Sequence, residues 1–273
     1  MSVNVVSDMH RGDVRDTSTP HRELVVAWQH PVDRGIHPIA LLRHRGDEYS
    51  FRYVRAVLEV PDFRPLLGFG DLREVYTSDR LFPLFAQRAL DPRRPDYQRY
   101  VSDLGLDPSD ATPWEQITRS SGRRNGDTLQ LFPVPHVVAG QVSCSFLVHG
   151  IRHLPENRPV FDGVPHPVTA GQIGDVLDGL VPGAPLALVP EPTNANNPEA
   201  ILVVAGEVPV GYVPDLLVRD LHRLREVTQV HASVIRVNGP DAPSHLRVLA
   251  ELAAERAHGF EFFQDPRWAP LAH

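Results

Sequence analysis

The sequence predicts an α+β protein that is mostly β, with short strands and a few helices. Three observations carry this. Apolar and polar residues alternate over short stretches, as in Tyr49, Phe51 and Tyr53 against Ser50 and Arg52, the period-two signature of a half-buried strand. Proline supplies 27 of 273 residues, about twice the usual share, which favours short elements and ordered turns over long helices. Toward the C-terminal side, short strands accompany one amphipathic helix, the pattern of a small β-barrel-like module.

Residues 1–20 show no apolar periodicity and read as a disordered arm. A first strand is expected over Arg22–Trp28. Ile39–Arg43 and Tyr49–Tyr53 form a hairpin around Arg45-Gly46-Asp47-Glu48, and Arg73–Tyr76 is a further short strand. Ser78-Asp79 can cap a helix over Arg80–Ala89, and Asp96–Leu104 reads as a second helix. A third covers Pro113–Ser120, with Thr112 as N-cap, Pro113 at the first helical position and Glu115 completing a capping box. Thr128–Phe132 returns to strand, and Pro133-Val134-Pro135 stops helix and interior strand alike. This divides the chain into a module at 21–135, a second at 141–252 and a tail at 253–273.

The second module opens with the strand Val142–Val148. Val176–Leu180 fits either a turn of helix or an edge strand. Strands follow at Pro185–Val189, Ala200–Val204 and Val208–Val213, then a helix over Leu216–Leu224 whose Leu216, Leu217, Leu221 and Leu224 share a face. Val227–Val237 pairs with Leu246–Leu252 across Asn238-Gly239-Pro240. The tail aromatics Phe260, Phe262, Phe263 and Trp268 pack back on this module or form a docking segment.

Composition bounds the function. The formal charge is −7 and every Lys-or-Arg position is arginine, a usage that fits a GC-rich genome. An acidic chain gives no support to generic nucleic-acid binding. The single cysteine, Cys144, excludes a disulfide framework and a cysteine-based zinc site within one chain, and sits in an apolar run as a small buried hydrophobe. No membrane-spanning run and no signal peptide are present, so a cytoplasmic protein without a membrane partner is expected.

The stretch Leu147–Arg225 resembles a HIRAN domain. The matching residues are Gly150-Ile151-Arg152, the run from Leu186 through Glu191-Pro192-Thr193-Asn194 and Asn197 to Ala200-Ile201, and Val210-Gly211-Tyr212-Val213-Pro214. The first module is similar to the N-terminal subdomain of HipA-type kinases in Leu41–Tyr53, Leu81–Phe85 and Trp114–Arg123. No kinase core follows, since the H-R-D and D-F-G motifs and a lysine-bearing ATP strand do not occur. The resemblance implies a HipA-N-like module with helices, then a HIRAN β-barrel-like module with one or two helices.

HIRAN likeness implies a pocket for the 3′ end of single-stranded DNA, and with it a place in DNA repair in a bacterial-type protein. Arg152 would bind phosphate through its planar fork. His153 and Asn196 stand where stacking aromatics are common. Asn194 matches the first asparagine of the motif, and Asn197 replaces the aspartate that would take the 3′-hydroxyl. Tyr212 offers a ring and a hydroxyl at the same mouth.

Other readings stand beside these. Asn194–Asn197 can form Asx turns without a ligand, Gly211 can serve a tight strand path, and Arg152 can make a surface ion pair. His149 and His153 lack a third metal ligand at recognisable spacing. Ser120–Asp127 is an anion nest with two arginines or an exposed turn. Asp71 with Glu74, and Asp175 with Asp178, read as surface charge. Between Gln141 and Val230, five arginines face ten acidic residues, a balance of −5, where a phosphate binder would be positive. No catalytic motif, cofactor site or metal site is identified. The leading expectation is non-catalytic recognition of single-stranded DNA 3′ ends. The alternative is a protein-interaction or antitoxin-like regulator, partnering a HipA-type kinase or a DNA-processing enzyme. A basic groove around Arg152 and Tyr212 would favour the first, and an apolar patch over Tyr49–Phe85 the second.

Overall fold

The computed structural model describes residues 23–32, 35–124, 126–161 and 163–271. The expected arm at 1–20 lies outside them. Two antiparallel sheets organise the chain. The first contains β1 (Glu23–Gln29), β2 (Ile36–Arg45), β3 (Glu48–Tyr53) and β4 (Tyr76–Ser78). The helices α1 (Pro83–Ala86), α2 (Tyr97–Asp103) and α3 (Pro113–Arg119) precede its last strand, β5 (Leu129–Pro133). The strand order is β4-β3-β2-β1-β5. One face buries Leu24, Leu42, Phe51, Tyr53 and Leu131 against Phe85, Trp114 and Ile117. The Tyr53 hydroxyl is satisfied inside this core, donating to Phe69 O (2.9 Å) and accepting from Leu66 N (2.8 Å), and burial pushes its pKa up to about 12.

The hairpin register, Ala40 opposite Tyr53 and Leu42 opposite Phe51, is the one the alternation predicts. The expected helix over Arg80–Ala89 shrinks to a single turn. Phe82 precedes proline and is extended (φ −52°, ψ 140°), so the chain cannot be helical before Pro83. The expected strand at Arg73–Tyr76 lies instead at Tyr76–Ser78, paired with Tyr49–Phe51. At α3 the Thr112 side chain accepts from Glu115 N (3.2 Å), but the expected capping box is only half made, because Thr112 N donates to Asp110 O (2.8 Å) and not to the Glu115 side chain.

The second half contains β6 (His136–Val138), β7 (Gln141–Leu147), α4 (Leu154–Asn157), and the small hairpin β8 (Val160–Phe161) and β9 (Val164–Pro165). Then come α5 (Ala170–Gly179), β10 (Pro185–Pro190), β11 (Ile201–Ala205), β12 (Val208–Tyr212), α6 (Asp215–Val227), β13 (Val230–Val237) and β14 (Val248–Ala254). The Val176–Leu180 alternative resolves to helix: α5 opens on a capping box between Thr169 and Gln172.

The second sheet has the order β12-β11-β10-β13-β14-β7-β6. Its β10 pairs with β13 through Pro185 and Leu186, then with β11 through Ala187–Pro190, so the sheet turns a corner there. The curl brings β12 back to the residues after β7. One bridge joins them, with His149 N to Tyr212 O and Tyr212 N to His149 O both 2.9 Å. The expected barrel-like module is thus an open curled sheet joined at one point, not a closed barrel.

The halves share a buried cluster. Val25, Leu41 and Phe132 of the first sheet meet Trp268, with Leu216 and Phe263 packed against them. Leu216 therefore faces the first sheet, whereas Leu217, Leu221 and Leu224 face the second core. The tail bridges both halves: Phe260 and Phe262 lie in the second core, Leu271 packs on the first, and Val54 pairs with Pro270.

Candidate functional site

The segment between β10 and β11 folds around its own amides. Asn194 Oδ1 accepts from the backbone N–H of Asn196 (3.0 Å) and Asn197 (3.2 Å), and Asn197 Oδ1 accepts from Glu199 N (2.9 Å). These are the Asx turns the residue types favour. Each amide nitrogen reaches outward. Asn194 Nδ2 donates to Glu191 Oε2 (2.6 Å), and Asn197 Nδ2 donates to Asp215 Oδ1 (2.9 Å) on the first turn of α6.

Glu191 lies under this loop, only 3% exposed. Its carboxylate accepts from Val160 N (2.6 Å), from Asn194 and from the Tyr212 hydroxyl (3.0 Å). A buried carboxylate persists only when its oxygens are paired, and here three donors from three chain segments do so. Burial, then the neighbouring Glu191 charge, push the Tyr212 phenol well above its ordinary value. Tyr212 stays protonated and the Glu191 oxygens are occupied, so neither is available as a general base.

The opposite wall comes from the His149–Tyr212 bridge. Gly150 has φ +69°, and a Cβ there would lie 3.0 Å from the Tyr212 ring, so glycine lets the ring seat against the backbone. Together these walls enclose a cleft of about 340 Å³. His153, Asn194, Asn196, Asn197 and Tyr212, all singled out from sequence, line it. Arg152 is not among the lining residues; its Nε donates to His153 Nε2 (3.0 Å) beside the cleft. Sequence reasoning missed His149, Gly150, Asn157 and Asp215 in the lining and Glu191 beneath it. Glu191 had a signal, a carboxylate at the end of an apolar strand between Pro190 and Pro192.

The electrostatics follow the acidic balance of the segment. Asp215 contributes the formal charge of the lining, and the basic groove around Arg152 and Tyr212 that would favour nucleic-acid recognition is not formed. Two histidines nearby are held neutral. Burial lowers His149 to about 4, helped by the charges of Arg123 and His245, and burial with Arg123 lowers His245 to about 4. Their folded pKa values lie below the ordinary 6.5, so the unfolded chain takes up protons first as pH falls. Stability is expected to be intact above pH 6.5 and to fall between 6.5 and about 4, by on the order of 3 kcal/mol from the buried His149 and by less from the partly exposed His245. Urea midpoints across this range check it. Arg123→Ala should reduce the slope, and an unchanged slope would contradict the assignment.

The sequence offered Ser120–Asp127 as an anion nest or an exposed turn. Ser121 (φ +56°) and Gly122 (φ +55°) do turn the backbone left-handed, but Ser120 and Ser121 are buried and the turn surrounds a cation. The buried Arg88 donates to Gly122 O (2.8 Å) and pairs with Asp127. Its carbonyl and carboxylate oxygens face a guanidinium, which is the opposite polarity to an anion site. Among the described residues, no group of three or more His, Cys, Asp or Glu side chains is placed to hold a metal ion. Among them, too, no helix is long and apolar enough to cross a membrane. Cys144 is buried, and burial raises its thiol to about 12.

No family model matches the chain, and no curated protein matches it. Among solved structures, the HIRAN domain of human HLTF is similar over 49% of this chain and 83% of that one, at 15% identity and a TM-score of 0.26.

Proposed function

We propose that the protein recognises the free 3′-hydroxyl end of single-stranded DNA, with the terminal nucleoside seated in the cleft formed by His153, Asn194, Asn196, Asn197 and Tyr212. One observation carries the reading. The aspartate lost at Asn197 has a counterpart: Asp215 brings a carboxylate to the cleft, oriented by the Asn197 amide. A hydroxyl can donate to that carboxylate. A terminal phosphate would place negative charge beside Asp215, and the lining offers no arginine to offset it. A lining with one carboxylate and no arginine suits a sugar and a base, and the backbone phosphates stay outside, with Arg152 beside the cleft. The His153 and Tyr212 rings offer apolar faces for the base.

Fluorescence anisotropy with strands ending in a 3′-hydroxyl or a 3′-phosphate tests this. Wild type is expected to prefer the hydroxyl end. A hydrogen bond to a charged group contributes about 1.5–3 kcal/mol, so Asp215→Ala should reduce that preference by roughly tenfold to a hundredfold. Arg152→Ala should weaken both strands equally. Equal wild-type affinity for the two ends sinks the reading. The protein-partner alternative has less support: within Tyr49–Phe85, Phe51, Tyr53, Phe69 and Phe85 are buried, and the large apolar side chains left exposed are Leu58, Leu67 and Val75.

A further inference from the structure

The first sheet carries an array of arginines that the end cleft does not use. Register places Glu23 opposite Arg43 and Leu41 opposite Arg52, so Arg52, Arg43 and Arg45 share one face of β2 and β3. Successive same-face positions on a strand are about 7 Å apart. The guanidinium groups therefore start from roots at one regular step, Arg52 beside Leu41, then Arg43, then Arg45. Arg43 and Arg45 line a cleft of about 380 Å³ with Glu23, His136 and the chain from Val134 to Val138.

Two carboxylates stand near this array. Glu23 pairs with Arg43 at 2.5 Å, and Glu48 lies opposite Arg45 in register. Neither Arg45 nor Arg52 has a hydrogen bond or ion pair among the described residues, and Arg52 Nε is buried without a partner. Burial and the charges of Arg43 and Arg45 lower the Arg52 pKa, only partly opposed by the Glu23 carboxylate, so the guanidinium is held where its own charge is disfavoured. A desolvated donor beside two like charges is the arrangement an anion stabilises.

We propose that Arg43, Arg45 and Arg52 form a binding track for successive phosphodiesters of a single nucleic-acid strand. The regular spacing favours a linear polyanion over an isolated phosphate. The same sheet face continues from Arg52 through Leu41, Val25 and Phe132, which are buried against Trp268, and the Phe132 ring lies 5.9 Å from His149 on the cleft wall, so the track and the cleft flank one buried seam. With strands about 4.8 Å apart, Arg52 and His149 are on the order of 20 Å apart through that seam, and a strand reaching both runs around it. The track extends the end-recognition reading, but phosphate binding there does not depend on which end group the cleft selects.

The test uses 5′-labelled thymidine strands of about 4 and about 12 nucleotides, each with a 3′-hydroxyl, titrated over a range of salt. Each phosphate contact on a single strand contributes about 0.7 to the slope of log affinity against log salt. Arg45→Ala/Arg52→Ala should lower that slope by roughly 1–1.5 for the long strand and weaken it at least fivefold at low salt, while the short strand changes less than twofold. The exposed Arg45→Glu should weaken the long strand further without disturbing the fold, and Arg225→Ala should do nothing. Long-strand affinity and slope unchanged in both Arg45 variants, or no strand binding by wild type at low salt, overturns the track. Length-dependent, Arg45-dependent binding with no preference for a 3′-hydroxyl would keep the track and remove end recognition instead.

Discussion

Gly211→Ala is expected to destabilise the protein by about 2–5 kcal/mol, because overpacking and backbone strain act at one atom. Gly211 has φ +149°, and a Cβ there would lie 2.3 Å from Val148 Cγ1 and 2.6 Å from His149 O. The second contact is backbone, so no side-chain rotation relieves it. Gly211 also directly precedes Tyr212, whose bridge to His149 joins the ends of the curled sheet. The comparison is Gly206→Ala, at φ +61° with nothing within 4 Å of the added carbon, expected to cost about 1–2 kcal/mol from backbone conformation alone. Urea denaturation of the two variants checks this through the midpoint at constant slope. Equal midpoints would mean that the sheet accommodates the methyl and that Gly211 is not a packing constraint.

Glu191→Ala should cost about 3–5 kcal/mol and abolish strand binding with it. Three donors lose their acceptor together: Val160 N on β8, the Asn194 amide and the Tyr212 hydroxyl. The relief from no longer burying a charge offsets part of the loss, which keeps the figure below the sum of the bonds. Glu191→Gln keeps one carbonyl acceptor and should recover about half of the stability. Tyr212→Phe removes one donor and should cost about 1 kcal/mol. A double-mutant cycle between Glu191 and Tyr212 should return a coupling of about 1–2 kcal/mol. If Glu191→Ala is as stable as wild type, the buried carboxylate does not hold the cleft together.

The fold was legible wherever local pattern and tertiary pairing agree. Tyr49, Phe51 and Tyr53 alternate, and their hairpin forms at the register that alternation demands. Thr112 caps its helix because cap chemistry is local. The helix ending at Ala89 failed on one residue: Pro83 forces Phe82 extended, a restriction visible in the sequence but outweighed by the Ser78-Asp79 cap signal. The helix α5 carried its T-x-x-Q capping signature at Thr169 and Gln172, and its Gly171, Gly174 and Gly179 obscured it.

The candidate site was half legible. The asparagine loop stands out because its turns are made by neighbouring residues. Glu191 did not, because its partners Val160 and Tyr212 are 31 and 21 residues away and only the fold assembles them. Asp215 lies just before the expected helix Leu216–Leu224, and its role rests on the contact with Asn197, 18 residues earlier. The acidic balance of 141–230 was visible in the sequence, whereas Arg152, expected in the site, lies beside the cleft and not in its lining. That balance could not locate the arginines of β2 and β3, which share a face only through strand register.

The most direct measurement of end recognition is a ¹⁵N chemical-shift titration of the protein with a short strand ending in a 3′-hydroxyl, repeated with the same strand ending in a 3′-phosphate. Saturable shifts of the Asn194, Asn196 and Asn197 side-chain amides and of the Tyr212 and Asp215 backbone are expected with the hydroxyl end, and much smaller ones with the phosphate end. Identical shifts with both ends, or shifts confined to residues outside the cleft, would contradict end recognition.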